Sequence, residues 1–312
     1  MRVAVIDLGT NTFHLLIAEG QPGGNPAVLH RETFVAKIGQ GGISQGILTD
    51  EAFARTLSAL EGFRRRIDGF GVAPASVFAT ATSAIRNARN GAALVAAVAR
   101  QTGIAVRVIS GDQEAEYIYY GVRSAVPLGT ATALVMDIGG GSVEFILANA
   151  EKIYWKRSFE IGAQRLLDRY LTTDPISPPA VRRLHEYLEE TLIPLTNAVH
   201  QYQPVALVGA SGAFETLCAI DAEKRGETLD VATLVEGTLE FSSFQAILQQ
   251  LLTNDRAGRL AIPGMLPMRV DMIVLAGCLL DFVLRKYELR RIRVSGYALK
   301  EGVLSQMLSH AS

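Results

Sequence analysis

The sequence predicts an α/β protein made of two similar domains. Its 312 residues exceed the length of one average domain, and short apolar segments alternate with helical patterns along the chain. A unit of strand, glycine turn and strand near the N-terminus also occurs a second time 130 residues later. Asp7 of the first copy corresponds to Asp137 of the second. A repeat of this kind indicates two related halves that face a shared cleft.

The elements of the first half follow from apolar runs, helical periodicity and turn residues. Thr49 or Asp50 is suited to cap a helix that carries apolar residues at helical spacing, and Gly103 is suited to end another. The predicted strands are 3–6, 13–18, 77–79 and 104–109, and the predicted helices are 50–70, 91–101 and 114–122.

The second half restarts the same pattern after a stretch at 124–130 that contains Pro127 and Gly129. We therefore place a first domain at 1–125 and a second at 126–297, with a C-terminal helix at 298–312 that packs back on the first. The predicted strands of the second half are 133–136, 143–147, 205–208 and 292–294, and the helices are 162–170, 180–200, 214–221, 244–252 and 271–287.

The composition narrows the class of protein. Hydrophobic residues make up 49% of the chain and charged residues 20%, which predicts a large core. A net charge of -1 argues against a nucleic-acid or membrane-surface binder. Cys218 and Cys278 form no CxxC motif and are expected to be buried thiols. Without a signal peptide or a membrane-length apolar run, we expect a cytoplasmic protein.

The repeated unit has the chemistry of a phosphate and magnesium site. It reads AVIDLGTNTFHLLIA at 4–18 and LVMDIGGGSVEFILA at 134–148. An aspartate at the end of a buried strand is costly without a role, and a glycine turn presents N–H groups to an anion. Carboxylates such as these bind hydrated Mg²⁺. One copy is equally compatible with an ordinary hairpin, but two copies at matching spacing favour the phosphate site.

Six sequence blocks together resemble one family. The combination is similar to the exopolyphosphatase / guanosine pentaphosphate phosphatase family of the actin-like superfamily, and the blocks occur in family order. This resemblance implies two actin-like (ribonuclease H-like) domains, each with a mixed five-stranded sheet flanked by helices. The blocks are 3–18, 79–90, 108–122, 135–147, 208–217 and 294–304.

The resemblance also implies roles for residues. Glu114 is expected to be the base that activates water, with Asp137 and Glu144 also catalytic. Mg²⁺, or Mn²⁺, would be bound by Asp137, Glu144 and Asp7. Gln113 departs from the adjacent acid of many relatives, which affects metal binding in a way the sequence does not define. The expected phosphate-binding residues are Gly9, Thr10, Asn11, Thr12, Arg86, Gly139, Gly140, Gly141, Ser142, Gly209, Ser211 and Gly212.

Some of these motifs have a structural alternative. The turn at 209–212 is suited either to binding phosphate or to joining a strand tightly to a helix. His14, the repeat partner of Glu144, is expected to be a structural histidine with its hydrogen-bonding groups satisfied, rather than a ligand. The arginine runs 64–66 and 290–293 are expected to be solvated faces.

Three classes of function fit these residues. The first is Mg²⁺-dependent hydrolysis of the terminal phosphoanhydride of inorganic polyphosphate, with guanosine pentaphosphate as the alternative substrate. The second is phosphotransfer, and the third is a regulator that binds a guanosine tetraphosphate or pentaphosphate without cleaving it. The resemblance further implies a homodimer. No nucleic-acid or membrane partner is expected.

Overall fold

The computed structural model describes residues 1–21, 24 and 26–309. The chain forms two compact units. Unit 1 contains Met1–Gly121, the short turn Gly139–Gly141 and the C-terminal stretch from Leu299, and unit 2 contains Val122–Ile138 and Ser142–Ala298. Both units are mixed α/β structures with one sheet each.

The chain up to residue 125 forms the following elements in order: β1 (Arg2–Leu8), β2 (Thr12–Glu19), β3 (Ala27–Val35), α1 (Asp50–Gly69), β4 (Val77–Ala81), α2 (Ser83–Asn87), α3 (Gly91–Thr102), β5 (Val106–Val108) and α4 (Gly111–Ala125). The five strands form one sheet in the order β3-β2-β1-β4-β5. The hairpin strands β1, β2 and β3 pair antiparallel, whereas β4 and β5 continue the sheet in parallel.

The remaining elements are β6 (Ala133–Ile138), β7 (Val143–Ala148), β8 (Ile153–Phe159), α5 (Ala163–Tyr170), α6 (Pro178–Thr191), α7 (Ile193–Tyr202), β9 (Leu207–Ala210), α8 (Gly212–Lys224), β10 (Glu236–Glu240), α9 (Phe241–Thr253), α10 (Arg256–Leu260), α11 (Ile273–Lys286), β11 (Arg291–Ser295) and α12 (Leu299–Ser309). Short 3-10 turns lie at Ile43–Gln45, Pro74–Ser76 and Pro267–Arg269. The sheet of unit 2 has the order β10-β11-β9-β6-β7-β8.

The second sheet therefore has six strands rather than the expected five. The additional strand, β10, lies at the edge of the sheet, and most of its residues are partly or fully exposed. Strands β3 and β8 are also edge strands that the apolar pattern does not predict. Because an edge strand buries few side chains, it lacks the apolar run that marks a central strand.

Helix boundaries follow local chemistry. The Thr49 side chain accepts a hydrogen bond from Ala52 N and caps α1, and Gly103 ends α3 in the left-handed conformation, both as predicted. The predicted helix at 180–200 is instead two helices that meet at Leu192. Pro194 lies in the first turn of α7, where its missing N–H is tolerated, and cannot continue α6.

The last element of the described residues is α12, which belongs to unit 1. The last three residues of the predicted helix at 298–312 lie outside the described residues. The predicted boundary near residue 125 falls at the end of α4, whereas the division into units falls inside that helix, after Gly121.

Each unit has its own apolar core. In unit 1 the sheet packs against α1 and α3, and in unit 2 the buried helix α11 contacts α5, α6, α8 and α9. Over the described part of the chain, no helix combines the length and the apolar character that a membrane crossing requires.

Gly302 permits α12 to lie close against α4. A Cβ at this position would lie 1.7 Å from the carbonyl oxygen of Tyr117. We expect Gly302→Ala to lower the free energy of unfolding by about 1–3 kcal/mol, because the backbones must separate. Gly62→Ala is the matched control within α1, where a methyl group meets only the tip of Arg65 at 4.0 Å. It should stabilise by about 0.5–1 kcal/mol, and urea unfolding of both variants checks the pair.

Candidate active site

The first glycine turn joins β1 to β2 and is held rigidly by backbone hydrogen bonds. Gly9 N–H donates to the carbonyl of Thr12 at 3.2 Å, and the carbonyl of Asn11 accepts from Ala36 and Lys37. Thr10, Asn11 and Thr12 are all buried. The Nδ2 group of Asn11 is buried with no hydrogen-bond partner among the described residues. A buried donor of this kind requires an acceptor, which a phosphoryl oxygen would supply.

The second glycine turn, Gly139–Gly141, belongs to unit 1 and approaches the first turn closely. A Cβ on Gly141 would lie 2.5 Å from Thr10 Oγ1 and 2.6 Å from Ser83 Oγ. Only glycine allows backbone and hydroxyl groups to approach so closely. Ser83 was not among the predicted site residues, although it lies in the motif block 79–90, at the first position of α2.

Glu114 lies in the first turn of α4 and is paired with Arg86. Arg86 Nη1 donates to Glu114 Oε2 at 2.7 Å and to the carbonyl of Ile109 at 3.2 Å. The Glu114 side chain is 8% exposed and the Arg86 side chain 16%. A neighbouring guanidinium favours the ionised carboxylate, which is the form that accepts a proton from water.

Arg86 was predicted to bind phosphate, and the structure directs at least part of its guanidinium to Glu114. A guanidinium carries five N–H donors, so this contact does not prevent a second contact with a phosphoryl oxygen.

In unit 2, Asp137 and Glu144 are direct cross-strand neighbours on β6 and β7. They are 5% and 1% exposed. Ser158 on β8 donates a hydrogen bond to Glu144 Oε1 at 2.6 Å. Ser142, at the start of the β7 side of the turn, is also buried. Two acidic side chains are thus held side by side on one face of the sheet.

The turn at 209–212 connects β9 to α8. Each of its two glycines lies where a side chain would collide with a neighbouring residue. A Cβ at Gly209 would lie 2.0 Å from the ring of Phe214, and one at Gly212 would lie 2.2 Å from the guanidinium of Arg269. Ser211 adopts φ 72, which is strained for a residue with a side chain. The two glycines are therefore needed for packing, whether or not the turn contacts phosphate.

Arg269 is a site residue that the sequence analysis missed. Burial lowers the pKa of its guanidinium, while Glu215 and Asp137 act in the opposite direction. Its Nε is buried without a partner in the described part of the chain. Arg259 is buried and donates hydrogen bonds to the carbonyl of Val270 and to Asp174. These hydrogen bonds fix the position of the segment that carries Arg269. No local motif marks Arg269, because it reaches the site from the loop before α11.

The acidic residues fit a metal ion that is shared with the substrate. Among the described residues there is no group of three or more His, Cys, Asp or Glu side chains placed to hold a metal. Mg²⁺ is commonly bound by one or two carboxylates together with waters and substrate phosphates. The pair Asp137 and Glu144 has this donor chemistry. Asp7, on β1 of unit 1, stays a predicted third ligand.

Several other predicted features take structural roles. His14 has hydroxyl partners at 3.0 Å on both ring nitrogens, Thr12 on one and Thr33 on the other. Burial raises the pKa of each of the two cysteine thiols to about 12, so the thiols are inert. The arginine runs form surface contacts: Arg64 with Asp68, Arg66 with Glu32, Arg293 with Glu236, and Arg290 over the ring of Phe241.

Nearly the whole chain matches one known family. The model of the Ppx/GppA phosphatase family matches residues 16–311. The chain belongs to the Ppx/GppA phosphatase family. It is therefore a hydrolase of phosphoanhydride bonds, and the predicted fold of two actin-like α/β domains is confirmed.

Curated Ppx/GppA relatives are similar over most of their length. Exopolyphosphatase 2 of Mycobacterium tuberculosis is 32% identical over 280 residues, which cover 87% of this chain and 86% of that protein. A putative exopolyphosphatase of Haemophilus influenzae is 28% identical over 304 residues, covering 97% of this chain and 90% of the relative.

Solved structures of Ppx/GppA proteins superpose on the same chain. An exopolyphosphatase from Cytophaga hutchinsonii is 42% identical, with a TM-score of 0.95 and coverage of 100% of this chain and 99% of the other. The Ppx/GppA enzyme of Aquifex aeolicus is 26% identical, with a TM-score of 0.80 and coverage of 98% and 99%.

The contact of Gly141 with Thr10 and Ser83 gives a test of the glycine turns. We expect Gly141→Ala to lower the turnover of a phosphoanhydride substrate by about 100-fold, because its methyl group displaces the two hydroxyls. Gly237→Ala is the control in β10, where the nearest atom is Cys218 Sγ at 3.4 Å. Release of orthophosphate at saturating substrate checks both, and equal turnover in the two variants would contradict the role of this turn.

Proposed function

We propose that this chain is an exopolyphosphatase that hydrolyses the terminal phosphoanhydride bond of inorganic polyphosphate and releases orthophosphate. The observation that carries the proposal is the ion pair between the buried Glu114, in the first turn of α4, and the partly buried Arg86 of α2. In-line attack by water needs a group that orients the water and accepts its proton, and an ionised carboxylate can do both.

In this proposal the water oxygen forms a bond to the terminal phosphorus as the bridging P–O bond breaks. Glu114 takes the proton from the attacking water. Arg86, held beside Glu114 at 2.7 Å, stabilises the ionised carboxylate and adds positive charge close to the transferred phosphoryl group.

The glycine turns supply donors for the phosphoryl oxygens. The rigid Gly9–Thr12 turn and the buried amide of Asn11 support this role in unit 1. Thr10 and Ser83 add hydroxyl groups beside Gly141. Because these donors are fixed by the fold, little reorganisation is needed when the phosphate charge moves during the reaction.

Asp137 and Glu144 would hold the divalent cation, with Asp7 as a further ligand. When bound, Mg²⁺ or Mn²⁺ would neutralise negative charge on the phosphates. Paired carboxylates on one face of β6 and β7 support this assignment, since both are oxygen donors of the kind that Mg²⁺ prefers. Ser142, Gly139, Gly140 and the turn at 209–212 are proposed to contact further phosphoryl oxygens.

Guanosine pentaphosphate is the alternative substrate, because it too ends in a terminal phosphoanhydride. Two alternatives of another class use the same phosphate donors but transfer no phosphoryl group to water. One is a regulator that binds guanosine tetraphosphate or pentaphosphate without cleaving it, and the other is a phosphotransferase.

We further propose a cytoplasmic homodimer without nucleic-acid or membrane partners. The net charge of -1 agrees with the absence of a nucleic-acid or membrane-surface partner.

Removal of the base tests the assignment of Glu114. We expect Glu114→Gln to keep the fold, because glutamine can still accept from Arg86, and to lower kcat by about 10²–10⁴-fold. Glu51→Gln is the control, since Glu51 is also an acidic residue in the first turn of a helix. It should lose little stability and no turnover, because Glu51 is exposed and lies far from the candidate site in sequence. Wild-type turnover in the Glu114 variant would leave the proposed base without support.

A substrate panel tests the proposed function itself. Purified protein is incubated with Mg²⁺ and polyphosphates of defined length, guanosine pentaphosphate, or ATP with small acceptors, and released orthophosphate is measured. We expect release from polyphosphate, with kcat/KM higher than for guanosine pentaphosphate. Tight nucleotide binding without release would favour the regulator, and phosphorylated acceptor would favour the transferase.

A further inference from the structure

One row of side chains crosses three strands of the unit 2 sheet. Asp137 on β6 pairs in register with Glu144 on β7, and Glu144 pairs in register with Ser158 on β8. Residues directly opposite each other on neighbouring strands project to the same face of a sheet. The two acidic side chains and the serine hydroxyl therefore form one continuous line.

The hydrogen bond between Ser158 and Glu144 is short, and its acceptor is a buried carboxylate. Ser158 Oγ donates to Glu144 Oε1 at 2.6 Å, and Glu144 is 1% exposed. Hydrogen bonds from hydroxyl groups to ionised carboxylates fall in this short range and are stronger than neutral ones. The terminal torsion of a glutamate is otherwise broad, so a donor on one oxygen fixes how the carboxylate is turned.

Unit 1 contains the same row. Asp7 on β1 pairs with His14 on β2, and His14 pairs with Thr33 on β3, whose hydroxyl lies 3.0 Å from His14 Nδ1. The duplication thus extends to a third strand, with a hydroxyl group at the outer position of each row. The outer residues Thr33 and Ser158 are 125 positions apart, so the constant offset of 130 that relates the two hairpins does not relate them.

We propose that Ser158 is a positioning residue that holds Glu144 in one orientation toward the divalent cation and the phosphoryl group. This inference rests on the role proposed above for Glu144. Hydrogen-bond partners of metal-binding carboxylates typically contribute 10–100-fold to metal affinity or activity. Ser158 acts through Glu144 and needs no contact of its own with the substrate.

A purely structural role for the serine makes a different prediction. If the hydroxyl only satisfies a buried acceptor, its loss lowers the stability of the protein and leaves metal affinity unchanged. A positioning role instead requires metal affinity and kcat to fall together, with little change in KM. The two roles are therefore separated by measuring metal binding and stability on the same variants.

The experiment compares Ser158→Val with Ser158→Thr. These side chains have nearly the same shape and suit a strand equally well, but only threonine keeps the hydroxyl. Affinity for Mn²⁺ alone is measured by electron paramagnetic resonance, and kcat by orthophosphate release. We expect the valine variant to lose about 10-fold or more in both, and the threonine variant to restore most of the loss. Ser158→Ala repeats the deletion with a smaller side chain.

Ser243→Ala is the matched control, because it removes a serine hydroxyl bonded to another buried carboxylate of unit 2, Asp221 at the far end of α8. It should leave Mn²⁺ affinity and kcat unchanged. Equal Mn²⁺ affinity in the valine and threonine variants would overturn the positioning role. If the wild-type protein cleaves no phosphoanhydride, the proposed function is wrong. The comparison of Mn²⁺ affinities would still test whether Ser158 positions Glu144.

Discussion

Each sheet carries an aspartate one residue before the end of its central strand, and the candidate site depends on how this charge is accommodated. Asp137 is 5% exposed, and an ionised carboxylate at such a position is stable only with polar partners close by. Cross-strand pairing places a second buried carboxylate, Glu144, beside Asp137, and the positive charge of Arg269 acts on Asp137 from the 3-10 turn before α11. Two neighbouring carboxylates repel each other, so the polar face of unit 2 depends on the positive charge of Arg269 and on hydrogen-bond donors such as Ser158.

The two rows share a geometry but differ in charge. In unit 1 the central position is His14, with hydroxyl partners on both ring nitrogens, so that row carries a single carboxylate, Asp7. In unit 2 the central position is Glu144, so that row carries two carboxylates instead of one. Two carboxylates are better suited than one to bind a cation. The proposed general base, Glu114, belongs to unit 1, where Arg86 pairs with it. The two units thus share one strand arrangement, and the different residues at its equivalent positions give the two rows different charges.

Glycine in this protein has two distinct uses that look alike in sequence. Gly141 allows a turn to approach the hydroxyl groups of Thr10 and Ser83, whereas Gly209 makes room for the ring of Phe214. Gly141 lies in the turn after β6, and Gly209 lies near the end of β9, directly before the connection to α8. The sequence could rank them only by motif, because the atoms that decide their roles come from distant segments.

The sequence by itself determined the α/β class, the duplication, the capped helices and the family to which the chain belongs, because these depend on local periodicity and on residue types at fixed spacing. Only the tertiary structure revealed the edge strands β3, β8 and β10, the break at Leu192, and the partners Ser83, Ser158 and Arg269. Strand register and loop packing bring together residues that lie far apart in the chain. The role proposed for the Ser158 hydroxyl on β8 can therefore be inferred only once Glu144 is known to lie opposite it.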